Sequence, residues 1–424
     1  MSVNETFQLL VGELRLSVLP PVLEVLIVAS PVILAGILLL IFCPLWVRYI
    51  RAAYFVGLKY TLLEIKLPKD TFKSPLAMEL FLTALHQTVG EGNWYAKYWQ
   101  GRTRPWFSLE MISVEGRVKF LIWSRAESKS FIESSLYAQF PGIEVREIDD
   151  YARTVHFDPK ENVIWAAELQ LTKEDPYPIK TYIDYALDKD PKEEFKVDPL
   201  APLLESLGSV GPNQQVWMQI LVRAHKKEQI KPGHLWKTTD AWKDQAEKII
   251  NEIMKRDPKT KITGVEDEET GLSKKPTLTK GEENIISAIE RSLTKQAFDV
   301  GIRCLYIAEK DFFNPANIGG MLGSWKQFGS ESLNSFKPNS DVLHISLDHP
   351  WKDYKDKRRN FMSKYSLANY KRRSYFYHPA NAKPFVLNTE ELATIFHFPG
   401  QVAATPSLER VISKKSQAPA NLPI

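Results

Sequence analysis

Only two cysteines occur in this chain, Cys43 and Cys304, with no CxxC pair and no Cys/His cluster. A disulfide framework and a structural zinc site are thereby excluded, in keeping with a reducing, cytoplasmic setting. No GxxxxGK[ST] sequence occurs either. Its nearest approach, Gly319-Gly320-Met321-Leu322-Gly323-Ser324-Trp325-Lys326, has the wrong glycine spacing and no Ser or Thr after the lysine. A phosphate cradle needs those glycine amides between a strand and a helix. The piece instead reads as the start of a helix after Asn314-Pro315. The eight histidines (His86, His156, His225, His234, His344, His349, His378 and His397) form no HExxH and no i, i+4 pair. There is no GxSxG elbow, and no spacing of carboxylates marks an acid–base couple. These absences lead to the expectation of no catalytic residue, no cofactor, no metal and no enzyme activity.

Charge is absent from Val25 to Val47, VLIVASPVILAGILLLIFCPLWV. As an α-helix this run is about 34 Å long, enough to cross a hydrocarbon core of roughly 30 Å. Glu5, Glu13 and Glu24 precede it with only Arg15, whereas Arg48, Arg51 and Lys59 follow. Positive charge stays cytoplasmic, so the N-terminus is expected outside and the rest of the chain in the cytoplasm. A cleaved signal peptide would want basic residues first and a shorter core. A lipidated Cys43 would want small residues where Ile41 and Phe42 stand. A buried core helix would have to hide apolar side chains all round.

The rest of the chain is globular in composition, 44% hydrophobic and 25% charged across the whole sequence. Tyr60 to Leu67 reads as a strand ending at Pro68, and Ser74 to Gln87 as a helix. Trp106 to Val114 and Val118 to Ser124 form a hairpin about Glu115-Gly116. Glu127 to Phe140 is a second helix and Ile143 to Ile148 a last strand. The order β-α-β-β-α-β predicts an α+β fold, a ferredoxin-like unit with an antiparallel sheet, over residues 60–152. Residues 153–349 read as an expanded echo of it. Strands are expected at Val163 to Leu171, Gln215 to Ala224 and Val300 to Ala308, with one strand missing or displaced. Its helices are Leu200 to Leu207, Thr239 to Lys255 and Glu282 to Lys295, and 257–280 reads as a mobile polar loop. The remaining segments are 1–59, with the membrane helix, and 350–424.

The net charge of +4 is local in origin, because Pro350 to His378 holds nine Lys or Arg against two Asp. Among them Lys357, Arg358, Arg359, Lys371, Arg372 and Arg373 are candidates for binding nucleic acid or anionic lipid. Trp351, Tyr354, Phe361, Tyr365, Tyr370, Tyr375, Phe376 and Tyr377 are interleaved with them. Cations neutralise phosphates, and aromatics stack on bases or settle at a lipid interface. The plainer reading is a helix whose apolar side packs on the domain and whose charges are solvated.

Several phrases carry a resemblance: LEIKLPKDTFKSPLAME from Leu63, QFPGIEVREIDDY from Gln139 and FDVGIRCLYIAEKD from Phe298. The most specific is PFVLNTEELATIFHFPGQVAATPSLERVISKK from Pro384, followed by PANLP from Pro419. Together they resemble the membrane-anchored N-terminal region of bacterial conjugative, type IV secretion-like DNA-translocating ATPases of the HerA/FtsK class. In those proteins the last phrase leads into the P-loop motor, and here the sequence ends at Ile424, where that motor would begin. The resemblance implies a membrane-anchored subunit of a DNA-translocation assembly, without inherited ATP hydrolysis. Its implied partners are the membrane, a separate motor ATPase and further copies of itself, with nucleic acid as a candidate. The rival readings are a tethered nucleic-acid- or lipid-binding module and a tethered enzyme with an unrecognised site.

The flanking charges make the topology testable. Protease added to intact spheroplasts should leave Tyr60 to Ile424 uncut, and digestion of that region from outside would reverse the orientation.

Overall fold

In the computed structural model the apolar run lies within one helix, Leu19–Val56, whose portion Val28–Val56 is long and apolar enough to cross a membrane. The structure describes residues 19–68, 73–188, 197–227, 229–230, 238–254, 265–266, 273–274, 278–339, 351, 353–380, 382–400 and 410–411. Most of the expected loop 257–280 therefore lies outside the described residues, as do 401–409 and 412–415 of the phrase from Pro384 and all of the phrase from Pro419. Two compact units result. One holds the described part of Met1–Leu58 together with Gly90–Thr103, and the other holds Lys59–Val89 and Arg104–Ile424.

The larger unit is mixed α+β, built on a sheet of nine antiparallel strands with a tenth pairing in parallel. Its first strands are β1 (Tyr60–Pro68), β2 (Trp106–Val114), β3 (Arg117–Arg125) and β4 (Glu144–Ile148). Then come β5 (Asn162–Leu171), β6 (Gln214–Ala224), the short pairs β7 (Gln229–Ile230) with β8 (Thr238–Thr239) and β9 (Val265–Glu266) with β10 (Ser273–Lys274), and β11 (Ala297–Glu309). The last are β12 (Phe336–Pro338), β13 (Phe385–Asn388) and β14 (Arg410–Val411). The β2–β3 turn places Glu115 and Gly116 both at positive φ, 53° and 83°, the geometry that matches the twist of a tight hairpin.

Strand order in space is β12-β5-β11-β6-β2-β3-β1, with β4 completing the far edge. The first half therefore stands as fourth, first, third, second strand. The second half, β5, β6, β11 and β12, repeats that order. The strand expected to be missing or displaced is β12, three residues paired with β5 from Phe336↔Leu171 to Pro338↔Leu169. The two halves join through β2 and β6, antiparallel from Trp106↔Arg223 to Val114↔Gln215. The boundary expected at 152/153 falls inside this one sheet.

Alternation along the strands gives the sheet two different faces. Phe107, Leu109, Met111, Met218, Ile220, Val300 and Ile302 face a single apolar core. That core also takes residues from helices Leu76–Leu85, Lys129–Gln139, Ala201–Gly208, Pro315–Ser324 and Thr389–Ile395. Asn314 caps the fourth of these by accepting from the Ala316 N–H at 3.0 Å. The opposite face carries Glu110, Gln219, Gly301 and Arg303, and residues 357–377 lie over it.

Gly301 is where this covering comes closest, because a Cβ there would overlap the Tyr375 ring. Tyr375 is itself buried, with its hydroxyl donating to the Lys383 carbonyl at 3.3 Å. Gly301→Ala should therefore destabilise the protein by about 1–3 kcal/mol through overpacking. The readout is a lowered thermal midpoint, and an unchanged one would mean the ring is not seated on the strand.

Candidate functional site

The basic, aromatic segment becomes a helix, Lys357–Arg372. Three cations in a first turn oppose the helix dipole, so the start needs negative charge close by. Asp353 supplies it, accepting from the Arg358 and Arg359 backbone N–H groups at 2.7 and 3.0 Å. Although desolvation raises its pKa, those two N–H groups hold the Asp353 carboxyl below the usual range. The helix ends at Arg373, in the left-handed region at φ 48°. Its inner side is Ser363, Ser366, Leu367 and Tyr370, spaced at i, i+3, i+4, i+7. Small serines let the helix lie close, and Ser363 Oγ donates to the Ile164 carbonyl at 2.8 Å.

The six candidate cations are divided by this geometry. Lys357, Arg358 and Arg359 are exposed together in the first turn, Arg359 bridging to Asp356 at 3.3 Å. Lys371 is half-buried and Arg372 exposed, in the last turn. Arg373 is buried at 1% exposure and is removed from the ligand-binding set. The aromatics divide in the same way. Trp351, Tyr354, Phe361 and Tyr365 are exposed, whereas Tyr370, Tyr375, Phe376 and Tyr377 are buried. The ligand-binding reading therefore applies to the N-terminal half, and the packing reading to the C-terminal half.

Arg373 belongs to a polar row that spacing did not reveal. Register places Glu64, Leu121, Glu110, Gln219, Arg303 and Glu168 side by side across β1, β3, β2, β6, β11 and β5. Glu110 is fully buried. It accepts from Arg373 Nε at 2.9 Å, Ser108 Oγ at 2.7 Å, Tyr151 OH at 2.8 Å and Gln219 Nε2 at 3.1 Å. The Arg373 guanidinium also pairs with Asp150. Burial would lower the Arg373 pKa, but Glu110 and Asp150 outweigh it and hold the group charged. Burial pushes the Tyr151 and Tyr370 hydroxyls well up, so both remain neutral in their mutual 2.7 Å bond. Further along the row Arg303 Nε donates to Glu168 at 2.7 Å, under the Tyr375 ring.

A second buried cluster surrounds helix Thr389–Ile395. Lys295 meets Glu79 at 2.6 Å, Tyr182 OH donates to Glu79 at 2.7 Å, and Arg291 meets Glu390 at 3.2 Å. These carboxylates are committed to cations and hydroxyls, an arrangement suited to holding elements together. Among the described residues no group of three or more His, Cys, Asp or Glu could hold a metal ion.

The chain belongs to the family described as "Domain of unknown function (DUF8128)", whose profile matches residues 56–410. No curated protein matches it. Among solved structures it is similar to the xylooligosaccharide oxidase from Myceliophthora thermophila C1 in complex with xylobiose. That match has 12% identity and a TM-score of 0.29, covering 77% of this chain and 56% of the oxidase. It is also similar to a histidine-to-alanine variant of berberine bridge enzyme in complex with (S)-reticuline. Here the identity is 12% and the TM-score 0.22, covering 77% and 55% of the two chains. The chain thus spans just over half the length of these proteins. Both are enzymes, and the expectation of no enzyme activity is not upheld by these matches. TM-scores this low carry no argument for a particular activity or substrate.

The buried pairing of Arg373 is open to test beside its exposed neighbour. Arg373→Gln should cost about 3–5 kcal/mol, since it leaves Glu110 charged and buried without its partner. Arg372→Gln should stay within about 0.5 kcal/mol of the parent. Thermal melts of both variants check this, and equal midpoints would remove the buried pair from the account.

Proposed function

We propose that this protein is a membrane-anchored cytoplasmic component of a type IV secretion- or conjugation-like DNA-translocation assembly, positioning or oligomerising with a separate motor ATPase. The helix Val28–Val56 serves as the anchor, N-terminus outside. The halves of the sheet are two ferredoxin-like units joined edge to edge, a reading supported by the fourth-first-third-second strand order in each. The contact made by the platform itself is with single-stranded DNA.

One observation carries that contact. Lys357, Arg358 and Arg359 stand exposed beside Trp351, Tyr354, Phe361 and Tyr365, on a helix whose other side is fixed to the sheet. Phe361 and Tyr365 stack nearly parallel, 14° between planes and 6.2 Å between centroids. Cations track a phosphate backbone, and exposed rings accept bases without regard to sequence.

Full-length protein in nanodiscs of neutral lipid should bind a single-stranded oligonucleotide in fluorescence anisotropy. Changing Lys357, Arg358 and Arg359 to Gln should weaken it, and the slope of log affinity against log salt should fall by about 0.7 per lost contact. Unchanged affinity and slope would overturn the DNA contact. Anionic vesicles competing as well as DNA would replace it with lipid. Affinity purification from membranes should also recover a protein with a Walker motif, and recovery without one would remove the motor partner.

A further inference from the structure

Residues 90–103 form part of the smaller unit, and their sequence shows no periodicity that assigns them an element. They read GEGNWYAKYWQGRT. Asn93 accepts from the Ala96 N–H at 2.8 Å and caps a five-residue helix, Trp94–Tyr98. This helix is fastened to the long helix at one level. Trp46 Nε1 donates to the Tyr98 carbonyl at 3.0 Å, and the Trp99 ring meets Trp46 edge-on at 5.8 Å. Gly101, at φ +64°, lies so near the Ile50 carbonyl that a Cβ would collide with it. Ile50 is buried, at 7% exposure. The level fixed by these contacts is where the uncharged run gives way to Arg48 and Arg51.

What the short helix presents outward is aromatic. Trp94, Tyr95, Tyr98 and Trp99 are 67%, 52%, 44% and 56% exposed, while Ala96 between them is buried. On the long helix the same surface continues through Tyr49, Trp46 and Phe42, with Trp46–Tyr49 centroids 6.1 Å apart and Phe42–Trp46 6.0 Å. Lys97 lies over the Tyr98 ring at 5.6 Å, and Arg102 is exposed nearby. Indole and phenol rings left in water are unfavourable in such number, yet they are favoured at the boundary between headgroups and acyl chains. Cations at that depth meet lipid phosphates.

We propose that residues 90–103 are a second membrane-contacting element: an aromatic clamp seated in the headgroup region of the leaflet at the C-terminal end of the span. Its occupant is lipid, because the patch is continuous with the apolar surface of the spanning helix and lies at the depth where that surface ends. The clamp hinders tilting and rotation of the helix about its own axis. It rests on reading the uncharged run of this helix, which ends at Val47, as the part that crosses the membrane.

The test uses the whole chain in lipid nanodiscs. Trp94→Cys and Trp99→Cys are made with Cys43→Ala, leaving only Cys304, which is buried and whose thiol burial pushes up to about 12. A bimane at either position should lose most of its emission to headgroup-proximal doxyl lipids and little to aqueous iodide. In the wild-type chain, a photoreactive lipid should leave adducts on residues 90–103. Iodide quenching without lipid quenching, and adducts confined to the span, in a chain that has inserted would overturn the clamp and leave the span standing. A chain that does not co-migrate with the nanodiscs would overturn both.

Discussion

Two four-stranded sheets with helices on one face would each leave an exposed edge, an invitation to pair with other chains. Here β2 and β6 close on one another over nine residue pairs, from Trp106↔Arg223 to Val114↔Gln215. The junction makes one sheet of the two halves and one core of their helix faces. It also makes β2 and β6 central strands, and both their faces are covered. Apolar Phe107, Leu109 and Met111 meet helices on one side. On the other, Glu110 and Gln219 lie directly opposite each other, and neither can be left bare away from water. The covering helix Lys357–Arg372 and the arginine that ends it follow from that requirement.

The covering is itself polar. Arg373 enters from above the sheet with its guanidinium between Glu110 and Asp150, and its own carbonyl accepts from Trp106 Nε1 at 3.0 Å. Arg303 repeats the device with Glu168 and donates to the Asn369 carbonyl at 3.3 Å. Arg223 does so with Asp299 at 2.6 Å, beneath the Phe376 ring at 4.5 Å. Each guanidinium is planar, so it can satisfy a carboxylate in its plane while an aromatic ring covers its face. Buried pairs of this kind add little net stability compared with apolar packing. Arg373 fixes one register of helix on sheet, since a shift of one residue would strand its buried charge, whereas Arg303 and Arg223 pair with carboxylates on neighbouring strands.

Much of this was legible in the sequence, and what was hidden had physical reasons. Long alternating or β-branched runs such as Trp106 to Val114 and Gln215 to Ala224 declare strands wherever they sit. β12 does not, because three residues, Phe336–Pro338, are too few to show a period. The pairing of β2 with β6 depends on contacts more than a hundred residues apart, which local pattern does not encode. The candidate site was legible by half. A run of Lys and Arg looks the same whether its end is solvated or buried, and only the carboxylates arriving from β2 and from Asp150 separate Arg373 from Arg372. The segment 90–103 was silent because a five-residue helix has too few turns for periodicity. Its aromatics acquire a meaning only when Trp46 and Ile50 fix their position along the long helix.

The phrase on which the sequence resemblance rests most heavily has a packing explanation at nearly every position from Asn388 to Phe398. Asn388 accepts from the Glu391 N–H at 2.9 Å and donates to Ser292 Oγ at 2.8 Å. Glu391 accepts from the N–H groups of Asn388 and Ile179 at 2.9 and 2.8 Å, although burial pushes its pKa up to about 8. Thr394 Oγ1 accepts from the Tyr182 N–H at 2.9 Å, and His397 pairs with Asp198 at 3.2 Å. Phe396 and Phe398 meet Phe120 edge-on at 5.7 and 5.5 Å. A phrase so fully committed to the interior can be strictly specified without offering a group to a ligand. Groups able to meet a ligand have to be sought where packing leaves side chains outward. The exposed surfaces at Trp351 to Tyr365 and Trp94 to Trp99 are both rich in aromatics and cations, side chains suited to phosphates, bases and lipid headgroups.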